Sequence, residues 1–137
     1  MSEKERKKLE QDVAFGVMGY QRWRRDCMHA AEGRTFWNPN TSTRHRWLDD
    51  IGPLAEPWSP TTDPAAAMEV MKKCAEKCTV TAECDASKAQ WLVAKLEDEW
   101  RGYGVVEANC KVAPTLELAI CLFAKQLFSQ PNHGGGK

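Results

Sequence analysis

The sequence predicts an α+β fold: a small antiparallel sheet packed between helices, an α-β-α sandwich in a single domain. Three observations predict it. Apolar residues recur at helical spacing near residues 3–19, 63–78 and 114–128. The runs 90–96 and 103–108 read as a pair of strands joined through charged and glycine residues. The resulting order is helix, short strands, helix, hairpin, helix, and a small sheet with helices packed on it satisfies every apolar face.

In the first stretch Leu9, Val13 and Val17 share a face, with Gly16 beside them and charge opposite. Gly19 is the expected stop. Residues 20–27 read as a short strand or an irregular arm. Residues 29–60 are punctuated by Gly33, Asn38, Pro39, Asn40, Gly52, Pro53, Pro57 and Pro60. So long a stretch without structure does not suit a compact domain, so Phe36-Trp37 and Arg46-Trp47-Leu48 are assigned as short strands at a sheet edge. Asp63 then caps a helix and Pro64 suits its first turn. Ala67, Val70, Met71, Cys74 and Cys78 follow at helical spacing, with Lys72, Lys73 and Lys77 in the later turns, where they complement the helix dipole. Residues 79–87 read as a connection. Pro114 opens the last helix. Leu116, Ala119, Ile120, Phe123 and Leu127 share one face, and Leu118, Leu122 and Phe128 widen it. So broad an apolar surface needs cover from the sheet or from another subunit, and a symmetric homo-oligomer is expected. The domain is placed at 1–130 and the tail 131–137 is expected to be disordered.

Composition narrows the function. The chain of 137 residues carries 19 basic and 19 acidic residues. A neutral total gives no support to binding of long nucleic acid, although Arg22, Arg24, Arg25, Arg34, Arg44 and Arg46 gather against only Asp26 and Glu32. The charged opening is followed by Leu9-Glu10-Gln11-Asp12 rather than by an apolar run, and no stretch is long enough to span a bilayer. An intracellular protein with no membrane partner is the expectation, and the six cysteines are read as reduced, mostly packing thiols. Cys74 and Cys78 share a helical face and Cys84 follows, but the close paired spacing of structural zinc is missing, so no metal is assigned. Neither His29 nor His45 stands in a recognisable nucleophile or hydrolase pattern with a cysteine or with Asp49 and Asp50. There is no P-loop, dinucleotide fingerprint or H-E-x-x-H. No catalytic residue and no cofactor is assigned.

What remains is binding. An anionic planar ligand needs cations for phosphate, rings for stacking and hydroxyls for specificity. The spans 34–38 and 41–47 hold these types close together. Arg34, Arg44 and Arg46 are the phosphate candidates, and Trp37 and Trp47 the stacking rings. Thr61 and Thr62, before a helix start, also suit an anion. Tryptophan and arginine are equally good protein-interface anchors, so direct binding to a protein stays open beside the ligand reading, with an orphan enzyme third.

Three segments also carry a resemblance. Trp58-Ser59-Pro60-Thr61-Thr62-Asp63-Pro64-Ala65-Ala66-Ala67-Met68-Glu69-Val70 resembles the middle motif of bacteriophage proteins of the phage ABA sandwich domain family, with Pro60 and Thr61 as extra residues. Ala113-Pro114-Thr115-Leu116-Glu117-Leu118-Ala119-Ile120-Cys121 resembles the family's closing helix, and Val13-Ala14-Phe15-Gly16-Val17-Met18-Gly19-Tyr20 its first. The resemblance implies the sandwich fold and a phage accessory protein in the cytoplasm of an infected bacterium. Small phage proteins of this size include ones that sequester cyclic nucleotide signals made by bacterial antiviral systems. The expected cargo is therefore a small nucleotide of the cyclic or ADP-ribose type, and the alternative is a bacterial defence or regulatory protein.

Overall fold

A computed structural model of the chain describes residues 1–24, 34–48, 50–99 and 102–129, with the backbone alone for 97–99 and 102–109. Cys27, His29, Asp49 and the tail 131–137, on which expectations were placed above, lie outside the described residues. The elements follow the α+β order. They are α1 (Glu3–Asp12), a π-helical turn (Val13–Val17), β1 (Gln21–Arg22), β2 (Thr35–Asn38), β3 (Thr43–Leu48) and β4 (Gly52–Pro57). Then come α2 (Pro64–Ala75), β5 (Val80–Asp85), β6 (Gln90–Glu99), β7 (Gly102–Ala113) and α3 (Leu116–Ser129).

Local chemistry sets the helix starts. Ser2 Oγ accepts from the Glu5 amide at 3.2 Å, and the Ser2 amide donates back to Glu5 Oε1 at 3.0 Å, a capping box for α1. Asp63 accepts from the Ala65 amide at 3.2 Å and Pro64 occupies the first turn of α2. Thr115 Oγ1 accepts from the Leu118 amide at 3.2 Å, which is why α3 begins after Pro114 and Thr115 rather than at them. The first helix is shorter than its periodicity suggests. It turns π-helical at Val13, and Gly19, at a φ of +75°, then takes the chain out of the helical direction.

The sheet comes in two pieces. β1-β2-β3-β4 form one sheet, in which β1 runs parallel to β2 and the other pairs are antiparallel; β5-β6-β7 form an antiparallel second. Two segments read as irregular are strands. Residues 79–87 contain β5. The proline-rich 52–57 is β4, an edge strand, and β2 and β3 lie inside the sheet. Pro53 pairs with Trp47 and Pro57 with Thr43; the amide of the next residue, Trp58, donates to the Ser42 carbonyl at 2.8 Å, so the alternation of the ladder turns both prolines' nitrogens away from β3.

One core joins everything. α3 packs against α1, the π-helical turn, α2, β6 and β7. Ala119, Ile120, Cys121, Phe123 and Ala124 of α3 are buried, and Leu116, Leu118, Leu122, Leu127 and Phe128 pack partly buried around them. Trp37 and Trp58 bring the four-stranded sheet into the same cluster. Among the described residues no helix is long and apolar enough to cross a membrane.

Candidate functional site

Side chains along a strand alternate between faces, so the four-stranded sheet separates the candidate residues by parity. The pairs Trp37↔Arg44 and Arg44↔Glu56 put these three on one face, with Arg46 two residues along. That face meets the core. Trp37 is 1% exposed, its ring edge-on to Phe15 at 5.7 Å, and its Nε1 donates to the Trp58 carbonyl at 3.3 Å.

Arg44 is 6% exposed and its guanidinium is fully engaged. Nη1 donates to Glu69 Oε1 at 2.5 Å and to the Tyr20 hydroxyl at 3.0 Å, while Nε and Nη2 reach Glu56 at 3.3 and 3.2 Å. Its charge also lies 5.8 Å from the Trp58 ring centroid, and Trp58 Nε1 donates to Glu69 at 3.3 Å. Burial works against the Arg44 charge, but Glu69, Tyr20 and Glu56 outweigh it and hold the guanidinium more firmly protonated than usual. Burial pushes the Glu56 carboxyl up, yet Arg44 and Arg46 hold it below its ordinary range. Arg46 is half-buried and meets Glu56 at 2.7 Å. Two arginines and two carboxylates thus balance between β3, β4 and α2.

Thr61 is also committed. Its hydroxyl donates to Glu10 Oε2 at 2.7 Å and accepts from Arg6 Nη1 at 3.2 Å. Glu10, wholly buried, also accepts from Ser42 Oγ at 3.2 Å, from Ser59 Oγ, and from Arg6 at 3.3 Å. The Ser59-Pro60-Thr61 turn is therefore a clamp on a buried carboxylate. Thr62 is exposed, with its hydroxyl 3.2 Å from Ser59 Oγ.

Three of the candidates thus lie within the fold. Trp37, Arg44 and Thr61 have their polar atoms spent inside the fold. A ligand stacking on Trp37 or pairing with Arg44 would have to displace core contacts.

The opposite face of the sheet is different. Phe36, His45 and Ala55 lie in register across it, flanked by Trp47 opposite Pro53; Phe36 is buried, so this face is covered at β2 and opens toward Ala55, Pro53 and Trp47. Trp47 is 42% exposed. Trp23, just past β1, stacks on His45 with ring centroids 4.8 Å apart and planes 22° from parallel. Burial holds the His45 pKa below its ordinary value, favouring a neutral ring. Arg34 is exposed and immediately precedes β2, at the end of the sheet that carries Trp47. Arg34 and Trp47 thus lie at one end of the sheet, Trp47 two residues along β3 from the stacked His45, while Thr61 and Thr62 lie past the far end of β3 and do not join them. The sequence reading missed Trp23 and His45. The signal was there: His45 stands two residues from Trp47 on one strand.

The cysteines stand apart. Cys74 is buried and its thiol is pushed up to about 12, first by burial and then by Cys78. Burial also pushes up the Cys121 thiol. Cys84 is exposed near the end of β5. Among the described residues no group of three or more histidine, cysteine or acidic side chains is placed to hold a metal ion.

No protein-family model matches the chain, and no curated protein matches it. Its structure is similar to that of a phage protein from Bacillus cereus ATCC 14579, at 17% identity over 88% of each chain, with a TM-score of 0.49.

Proposed function

We propose that the protein is a non-catalytic phage accessory protein that binds a small anionic nucleotide on the outer face of its four-stranded sheet. The observation that carries this reading is the exposed Trp47 ring beside the Trp23–His45 stack, with the exposed Arg34 at the same end of the sheet. Base stacking on an aromatic ring contributes about 1–3 kcal/mol, and an arginine supplies a planar fork for phosphate. A rigid frame with rings and a cation can hold a nucleotide without any reactive group. The motif resemblance supports a phage setting, and with it sequestration of a nucleotide signal of bacterial antiviral defence in the cytoplasm of the infected cell.

Native mass spectrometry of the full chain with nucleotide mixtures tests this. The expected result is a saturable complex from which heating releases the nucleotide unchanged. A chemically altered nucleotide would make the protein an enzyme. Failure of every nucleotide to bind would sink the reading and move the outer face to a protein partner.

A further inference from the structure

The π-helical turn lies away from the nucleotide face. Such turns are rare and occur often at functional sites. Here the turn borders an open groove of about 410 Å³ between the end of α1 and the last turns of α3. Phe15 and Val17 line it from the turn and Phe128 from α3. Lys8 and Lys125 also line it, each ammonium 3.0 Å from a different oxygen of Asp12. One carboxylate between two ammonium groups leaves a net positive charge. Lys77, outside the lining, sits 4.6 Å from the Phe128 ring centroid, and Arg22 lies 5.0 Å from that of Phe15.

Gly16 lines the same groove, and a Cβ built on it meets nothing within 4 Å. The space beside it is open, and a larger side chain there would project into it. The volume falls within the range of pockets for small organic ligands, about 300–1,000 Å³. Apolar walls beside surplus positive charge complement a flat apolar body with one acidic group.

We infer that this groove is a second ligand site, which takes a small aromatic anion with its rings against Phe15 and Phe128 and its acidic group at Lys8 and Lys125. Asp12 occupies those lysines when the groove is empty, so it competes with the ligand. Phosphate alone, without an apolar body, fills little of the groove.

Two dyes with the same ring frame test this on the full chain: 1-anilinonaphthalene-8-sulfonate and the uncharged N-phenyl-1-naphthylamine. The sulfonate is expected to bind one-to-one, about two- to five-fold more tightly than the amine, the range of a partly exposed ion pair. Gly16→Leu is expected to abolish binding of both dyes while the melting temperature holds or rises, since leucine favours helix over glycine. Asp12→Asn is expected to tighten the sulfonate alone by about two-fold or more, and Lys125→Gln to weaken it alone by a similar factor. Unchanged sulfonate binding in Gly16→Leu, or equal affinities for the two dyes, overturns the inference. Should Gly16→Leu not fold, the Asp12→Asn and Lys125→Gln pair decides, and no opposed shift of the sulfonate overturns it.

Discussion

The two faces of the four-stranded sheet use the same residue types for opposite ends. On β3, Arg44 points inward to Glu56, Glu69, Tyr20 and Trp58, and every donor it offers is taken within the fold. Three residues on, Trp47 points outward and keeps 42% of its surface. On β2 the order of types is reversed: Trp37 is in the core, and Arg34 before it is exposed. An arginine and a tryptophan close together in sequence are therefore not a site by composition. Their parity on the strand decides which face each takes, and along the outward face burial still varies, since Phe36 there is 3% exposed while Trp47 keeps 42%.

The sharpest way to break that contrast is to remove an inward ring. Trp58→Ala is expected to cost about 3–5 kcal/mol in denaturant unfolding, because it opens a cavity and strips Arg44 and Glu69 of a neighbour. Arg44→Met is expected to cost about 3 kcal/mol, the low end for breaking a buried pair, since both carboxylates still reach water. Adding Glu69→Gln to Arg44→Met should recover part of that loss, a coupling that a double-mutant cycle reads directly.

Acid probes the same network. Glu56 sits below its ordinary value of 4.5 in the fold, so its contribution is intact above that pH and is lost as the pH falls through the lowered value. In Arg44→Met the acid dependence of stability below pH 4.5 should be shallower than in the parent; an unchanged dependence would contradict the pairing. Asp63→Ala, outside the sheet, should cost about 1 kcal/mol through the lost helix cap. On the outer face, Trp47→Ala should change stability by less than about 0.5 kcal/mol while weakening nucleotide binding by about tenfold. A large loss of stability there would erase the distinction between the faces.

Much of the fold was legible because helices announce themselves through caps and period. Asp63 and Pro64 placed α2, and the apolar stripe of 116–128 placed α3. β4 and β5 were hidden for physical reasons. Prolines 53 and 57 look like loop punctuation, and only the edge position of the strand makes them harmless. In β5, Val80 to Asp85 carries small and charged residues with little alternation to read. The candidate site was legible in residue types and not in orientation. Runs 34–38 and 41–47 hold rings, cations and hydroxyls close together, but which members face out depends on the β2–β3 register, and that depends on the turn at Pro39 to Ser42. Thr61 looked like an anion ligand because hydroxyls before a helix often are. Its partner is an anion of the chain itself, Glu10, 51 positions earlier.

That last contact bears on how the chain assembles. Glu10 is satisfied by Ser42, Ser59 and Thr61, which follow it by 32, 49 and 51 positions. A carboxylate cannot give up water until such partners are present. During synthesis α1 emerges before these partners, so its inner face cannot settle until about fifty more residues have left the ribosome. Docking of α1 thus depends on contacts that span 32 to 51 positions and cannot precede the strand and turn that supply them.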